Sequence, residues 1–193
     1  MPRVEVFDRG HVLEKVKELF WSKGFNGTSM QDLVDVTGLN RSSLYNSFGN
    51  KEALFETVFK QYQEDTKSLF KDALKDADSP LDAIHNIFKN ILHLILEDVE
   101  GKGCFNLNCK TELSHTDTPI KAILKHSEEG TLQLFSGLIK EGQQQALINK
   151  NDTPENYAYY LFSAFQGLRM TGMLTRDYKT LKNIIHNTLI ILH

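Results

Sequence analysis

Apolar side chains recur every three or four positions almost from one end of this chain to the other, and only four prolines interrupt them. That period belongs to the α-helix, where residues i, i+4, i+7 and i+8 share one face. The pattern therefore points to an all-helical protein. With 193 residues, 40% of them apolar, the chain can bury a core without disulfides or metals. Its length suits one large domain, or a small domain joined to a larger one.

The helical segments can be bounded by their punctuation. Residues 8 to 24 carry the stripe Val12, Val16, Leu19 and Phe20, and Gly24 falls where a helix would stop. Thr28 and Gln31 have the spacing of a capping box at the start of a second helix, which Gly38 ends. Asn40 caps a short third helix over Arg41 to Phe48, and Asn50 caps a fourth that reaches about Leu74. Further helices are expected over 81–98, in "CFNLNCKTELS", from Pro119 to Leu147, from Pro154 to Thr175 and from Lys179 to Leu192. The expected division is a helix-turn-helix domain at 1–52 and a helical domain at 53–193.

The third helix is the unusual one. Leu44 and Phe48, four apart, are its only pair suited to a core. The rest of "RSSLYNSF" is hydroxyl, amide, guanidinium and phenol. Two short helices joined through a glycine and stacked on a preceding helix make a helix-turn-helix, whose second helix enters the DNA major groove. Its outer face then needs donors and acceptors for phosphates and base edges. Arg41, Ser42, Ser43 and Asn46 are the expected base readers. Thr28, Tyr45 and Lys51 are the expected phosphate contacts, Thr28 and Lys51 lying at helix N-termini. The net charge of −3 excludes a global polycation, so any basic surface must be local.

The stretch "GFNGTSMQDLVDVTGLNRSSLYNSFGNKEALF" resembles the DNA-binding domain of the TetR family of bacterial transcriptional regulators. The likeness covers about residues 8 to 60. Two later stretches, "GCFNLNCKTEL" and "FQGLRMTGMLTRD", are more weakly similar to family segments. The lack of a secretory signal or membrane span points to the cytoplasm, and the resemblance implies a homodimer on a double-stranded DNA operator. Its large domain would bind a small-molecule effector and shift the spacing of two recognition helices. Ser42, Asn46 and Ser47 depart from residues common in the family, which implies a different operator sequence. The resemblance also implies an interface made by the C-terminal helices, for which Leu161, Ala164, Leu168, Ile185, Leu189 and Leu192 are the expected residues. The same stripes also suit packing inside one chain.

The helices around 81–175 should enclose any cavity. Phe88, Leu92, Phe105, Asn108, Phe135, Phe162, Phe165, Gln166 and Met170 are its expected lining, an aromatic and methionine wall with a few amides. Cys104 and Cys109 are too few for a disulfide scaffold and suit a reducing compartment. They leave open a thiol-based redox or electrophile sensor, beside the alternative of inert buried thiols. No phosphate loop, nucleophile elbow or zinc motif is present, so neither catalysis nor a cofactor is expected. A helical binding protein or small enzyme without DNA function is the remaining alternative. The N-terminus lacks the apolar core of a secretory signal, and no apolar run reaches the ~18 residues of a membrane span.

Overall fold

The computed structural model describes residues 7–116 and 119–193, and every regular element within them is helical. In order these are α1 (Arg9–Lys23), α2 (Met30–Thr37), α3 (Arg41–Phe48), α4 (Lys51–Lys75) and α5 (Pro80–Glu97). Then follow α6 (Phe105–Leu113), α7 (Pro119–Gln144), α8 (Pro154–Gly172) and α9 (Tyr178–Leu189), with a 3-10 turn over Ile190–Leu192. The first six residues of the expected 1–52 domain lie outside the described residues.

Side-chain caps set most of the helix starts. Asp8, Asn40, Asn50, Ser79, Thr153 and Asp177 each accept the backbone N–H three residues on, satisfying a donor that the helix leaves orphaned. The capping box of α2 is shifted by one residue from the expected Thr28–Gln31 pair. Ser29 caps, and Asp32 returns the bond to the Ser29 N–H at 2.7 Å. Thr28 instead turns inward and gives its hydroxyl to the Gly24 carbonyl at 2.6 Å, while Gln31 donates to Asp35. Gly38 ends α2 in the left-handed region (φ 71°, ψ 5°), a conformation costly for any side chain with a Cβ. The turn this allows places α3 against α2.

Two cores result. The N-terminal one joins Val12, Val16 and Phe20 of α1, Leu33 of α2, and Leu44 and Phe48 of α3 to Leu54, Phe55, Val58 and Phe59 of α4. It also takes in Phe105, Cys109 and Leu113 of α6, together with Ile120 and Leu124 at the start of α7. The C-terminal core is built by α5, α7, α8 and α9 around Ile84, Ile87, Phe88, Phe135, Ile139 and Leu161. The boundary expected at 52/53 falls in the first turn of α4, and by burial the first half of that helix belongs to the N-terminal core.

α7 and α8 stop about a turn before their expected ends. After α7 the chain reverses: the N–H groups of Leu147 and Ile148 both reach the Gly142 carbonyl, at 2.9 and 3.2 Å. Ala146 sits in the left-handed region there, at φ 58°. The two C-terminal stripes turn inward. Leu161, Leu168, Leu189 and Leu192 are buried in the C-terminal core, and Ala164 and Ile185 are partly covered. α5 and α7 already occupy the face these leucines present, so the chain's own packing accounts for them. The apolar groups left outside are others, among them Tyr159, Tyr160, Met170, Tyr178, Ile190 and Leu174, the last 96% exposed.

Candidate nucleic-acid interface and effector cavity

α3 presents two faces. Leu44 and Phe48 are buried, while Arg41, Ser42, Tyr45 and Asn46 are exposed along one arc of about 140° at 100° per residue. Ser43 and Ser47 are half-buried on the flank. Asn40 fixes the start of the helix through the Ser43 N–H at 2.8 Å. Arg9 fixes its end, donating to the Ser47 carbonyl at 3.1 Å and lying over the Phe48 ring at 4.3 Å. The readers are thus held at both ends of a two-turn helix. Sequence reasoning missed Arg9, whose contact spans 38 positions.

Two of the expected phosphate contacts have other employment in this conformation. The Thr28 hydroxyl is buried and bonded within the chain. The Lys51 ammonium donates to the carbonyls of Phe25 and Thr28, at 3.0 and 2.9 Å, and stands over the Phe25 ring at 4.2 Å. Tyr45 is exposed.

Residues 24–28, which lead into α2, are therefore clamped from two sides. Lys51 takes their carbonyls. Glu112, on α6, takes their N–H groups: its carboxylate accepts from Phe25 at 3.0 Å and Asn26 at 2.7 Å. Gly24 lets this carboxylate approach, since a Cβ there would lie 2.9 Å from it. Hydrogen bonds from backbone N–H groups to a carboxylate are charge-assisted and strong.

α6 is also the wall of a cavity of about 360 Å³ between α4, α6, α7 and α8. α4 contributes Gln63, Thr66, Lys67, Phe70, Lys71 and Leu74, spaced three and four apart along one face. α6 contributes Asn106, Leu107 and Lys110, with Cys104 as its cap; α7 gives Leu124, Ser127, Glu128, Thr131 and Leu134. α8 gives Phe162, Phe165, Gln166 and Arg169. Of the expected lining, Phe162, Phe165 and Gln166 are therefore in place. The others are not. Phe88, Leu92 and Phe135 are buried in solid core behind the wall. Phe105 turns the opposite way, ringed by Trp21, Phe55, Phe59 and Tyr62. Asn108 is spent on the Lys102 carbonyl at 2.9 Å, and Met170 points outward.

The polar groups of the wall are unevenly satisfied. Lys110 pairs with Glu128, and Asn106 Nδ2 donates to the Ser127 hydroxyl at 3.1 Å. Asn106 Oδ1 and Gln63 Nε2 are buried without a hydrogen-bond partner. Among the described residues Arg169 reaches only the Tyr62 hydroxyl, at 3.4 Å, and it lies over Phe165 at 5.6 Å. Burial raises the pKa of the Tyr62 phenol, so the partner of Arg169 is neutral.

The two cysteines differ. Cys104 caps α6, its sulfur accepting the Leu107 N–H at 3.4 Å, with the Tyr62 hydroxyl 3.6 Å away. It borders both this cavity and a second one of about 600 Å³ that Trp21, Ile95, Lys102 and Met173 help to line. Cys109 packs in the N-terminal core, where burial pushes its thiol pKa up and keeps it protonated.

A two-faced α3 seated on a helix-turn-helix, with an all-helical body behind it, defines a DNA-binding regulator rather than an enzyme. Two family models match: the bacterial regulatory proteins of the tetR family over residues 12–58, and the tetracyclin repressor-like C-terminal domain over 80–187. The chain belongs to the TetR family of transcriptional regulators. It is similar to the HTH-type transcriptional repressor ComR of Escherichia coli K12, with 30% identity over 97% of this chain and 90% of that protein. It is 27% identical to the repressor DhaR of Mycobacterium sp. GP1, over 92% of this chain and 88% of DhaR. Among solved structures, a cysteine mutant of the regulator CifR complexed with 26-bp double-strand operator DNA superposes with a TM-score of 0.83. That match is 21% identical and covers 97% of this chain and 98% of CifR. The reduced form of E. coli NemR gives the same TM-score at 18% identity, covering 96% of each chain.

Proposed function

We propose that the protein is a repressor that binds a palindromic operator as a cytoplasmic homodimer and lets go when a small molecule fills the cavity behind α6. One observation carries this reading. α6 is at once a wall of the cavity and, through Glu112, the anchor of the loop that leads into α2. A guest that displaces α6 displaces the clamp, and with it the angle at which α3 is offered. The effector then acts by differential affinity for two arrangements, with a typical coupling of ~1–3 kcal/mol, or about 5- to 150-fold in operator affinity.

Arg41, Ser42, Asn46 and, from the flank, Ser43 read base edges, and Tyr45 meets phosphate. Lys51 and Thr28 serve by holding the loop, a revision of direct phosphate contact. Exposed Tyr160, Met170 and Leu174 of the α8 end and Ile190 beyond α9 supply the apolar surface for pairing two copies. The repressor names of ComR and DhaR, and the operator bound by CifR, support the DNA-binding half of this reading.

The test is selection of bound DNA from a random pool, followed by operator release against a compound library. Arg41→Ala and Asn46→Ala should each relax preference at particular positions, by roughly 1–3 kcal/mol where the contact is bidentate. Gln166→Trp should block release while sparing operator binding. Selected sites unchanged by both head substitutions would place base readout elsewhere. Tyr160→Asp with Leu174→Asp should yield monomers in sedimentation; an unchanged dimer mass would reject that surface.

A second reading has one observation of its own. Cys104 borders both cavities and caps α6, so its oxidation or alkylation would loosen the same wall. Cys109 has no part in it. Release by peroxide alone, lost in Cys104→Ser, would favour this sensor over the small-molecule reading.

A further inference from the structure

Arg169 carries a guanidinium into the wall of the cavity with no carboxylate to meet it among the described residues. Its one hydrogen bond among them goes to a neutral phenol, at the long distance of 3.4 Å. A partly buried charge without a counter-charge is costly, and so is a buried amide donor with nothing to donate to. Both line the cavity. Gln63, whose Nε2 is orphaned, follows Tyr62 in the chain, and Tyr62 is the residue that Arg169 reaches. Farther along α4 the lining turns aromatic and aliphatic, with Lys67 and Lys71 beside it. Two turns along α4 from Tyr62 stands Phe70, its ring 5.9 Å from Phe165, which lies one turn before Arg169 on α8. α4 and α8 thus run past each other with their polar ends together and their aromatic ends together. From Gln63 to Leu74 the lined face of α4 is about 16 Å long at 1.5 Å per residue. Of the cations in the lining, Lys67 is paired with Glu64 and Lys110 with Glu128, which leaves Lys71 and Arg169 without a paired carboxylate among the described residues.

Resting on the cavity as effector site, we propose that the effector is an amphipathic organic acid. Its carboxylate sits between Arg169 and Gln63, and its apolar body lies along Phe70, Leu74 and Phe165. The acid supplies the missing counter-charge and accepts from the orphaned amide, while its tail fills space that is otherwise empty. A planar guanidinium suits a carboxylate because two N–H groups can be offered at once.

Calorimetric titration of the full-length protein with decanoate, decanol and decylamine tests this. Decanoate should bind roughly tenfold or more tighter than decanol, with decylamine weaker than both. Arg169→Gln should abolish that preference and leave decanol binding as it was. Arg169→Lys should keep part of it, and Cys104→Ser should keep all of it. Gln63→Leu should weaken decanoate binding alone, and it serves as the test variant if circular dichroism finds Arg169→Gln unfolded. No decanoate binding, equal binding of acid and alcohol, or an acid preference that survives Arg169→Gln (or Gln63→Leu in its place) would overturn the proposal. The titration contains no DNA. Decanoate that binds without releasing operator would sink the regulatory reading and leave this assignment standing.

Discussion

The two cores of this protein are packed to different standards. In the N-terminal core Phe55 meets Phe20, Phe25, Phe59 and Phe105, and each ring has another ring against its face or edge. Its buried hydroxyls, on Thr28 and Tyr62, both have partners. Around the two cavities the standard drops: Gln63 and Asn106 leave polar atoms buried without partners, and so does Trp21 of α1, where the N-terminal core borders the second cavity. The reading head is built to hold one shape, because α3 must be offered at a fixed angle. The body keeps space and spare donors, the condition of a site whose missing atoms come from elsewhere. Departures from full packing and full hydrogen bonding concentrate where function is.

The contrast is broken most severely by removing a ring from the better-packed side. Phe55→Ala should cost about 3–5 kcal/mol, since neighbours fixed by one another cannot close the void. Phe162→Ala should cost clearly less, because that ring already borders empty space and forfeits fewer contacts. Urea unfolding of the two variants measures the gap. Equal losses would mean that the body is packed as tightly as the head.

Next in size is the link between the regions. Glu112→Ala removes two charge-assisted hydrogen bonds from the 24–28 loop and should cost roughly 2–3 kcal/mol. Its more telling effect is on control. Operator affinity should drop only modestly while the ratio of affinities with and without effector moves toward one. Full effector response in this variant would route the coupling elsewhere, with the Lys102–Glu18 ion pair, 2.5 Å long and joining the loop before α6 to α1, as the next link to cut.

These two regions were also unequally legible in the sequence, for the same physical reason. The head is specified by short-range relations: caps three residues from their donors, Leu44 and Phe48 four apart, a glycine where α2 must turn. The misplacement of its capping box by one residue came from two adjacent hydroxyls, Thr28 and Ser29, either of which could cap; burial chose between them. The body depends on long-range relations that no periodicity encodes. Glu112 meets a loop 86 and 87 positions away, and Arg169 meets Tyr62 across 107. Apolar stripes at 161–168 and 185–192 tell which face is covered and not by what, which is why the same leucines read equally as a dimer surface or as packing inside one chain. Arg169 left one signal, a lone cation following the stripe Tyr157, Leu161, Phe165 and Leu168.

A smaller effect tests the head's caps. Ser29→Ala should cost about 1 kcal/mol. Its partner Asp32 gives a pH signature. The Lys23 ammonium, followed by the Ser29 hydroxyl and N–H, holds the Asp32 pKa well below its ordinary 3.8. A carboxyl depressed in the folded state adds stability above its unfolded pKa and loses it as pH falls through the folded value. The difference in urea midpoint between wild type and Asp32→Asn should therefore be full near pH 6. It should shrink below about pH 4. A gap that stayed constant down to pH 2 would remove Asp32 from the ion pair and the capping box.

The smallest expected effect lies in the body and goes the other way. Ala146 is the only non-glycine with positive φ among the described residues, at 58°. Around it the chain is tightly held: Gln143 donates to the Asn149 and Asp152 carbonyls, and Asn149 bonds the Leu192 and Ile191 carbonyls near the C-terminus. The clasp over-determines the turn, so Ala146 pays the left-handed cost of roughly 1 kcal/mol that a Cβ incurs. Ala146→Gly relieves it while adding freedom to the unfolded chain, so the net gain should stay under about 1 kcal/mol. Unlike the 24–28 loop, this one has no partner in the other core among the described residues, so the substitution should raise the melting temperature and leave both operator affinity and effector response unchanged. A shift in either would mean that the 145–152 turn is part of the coupling and that the body has two levers on the head rather than one.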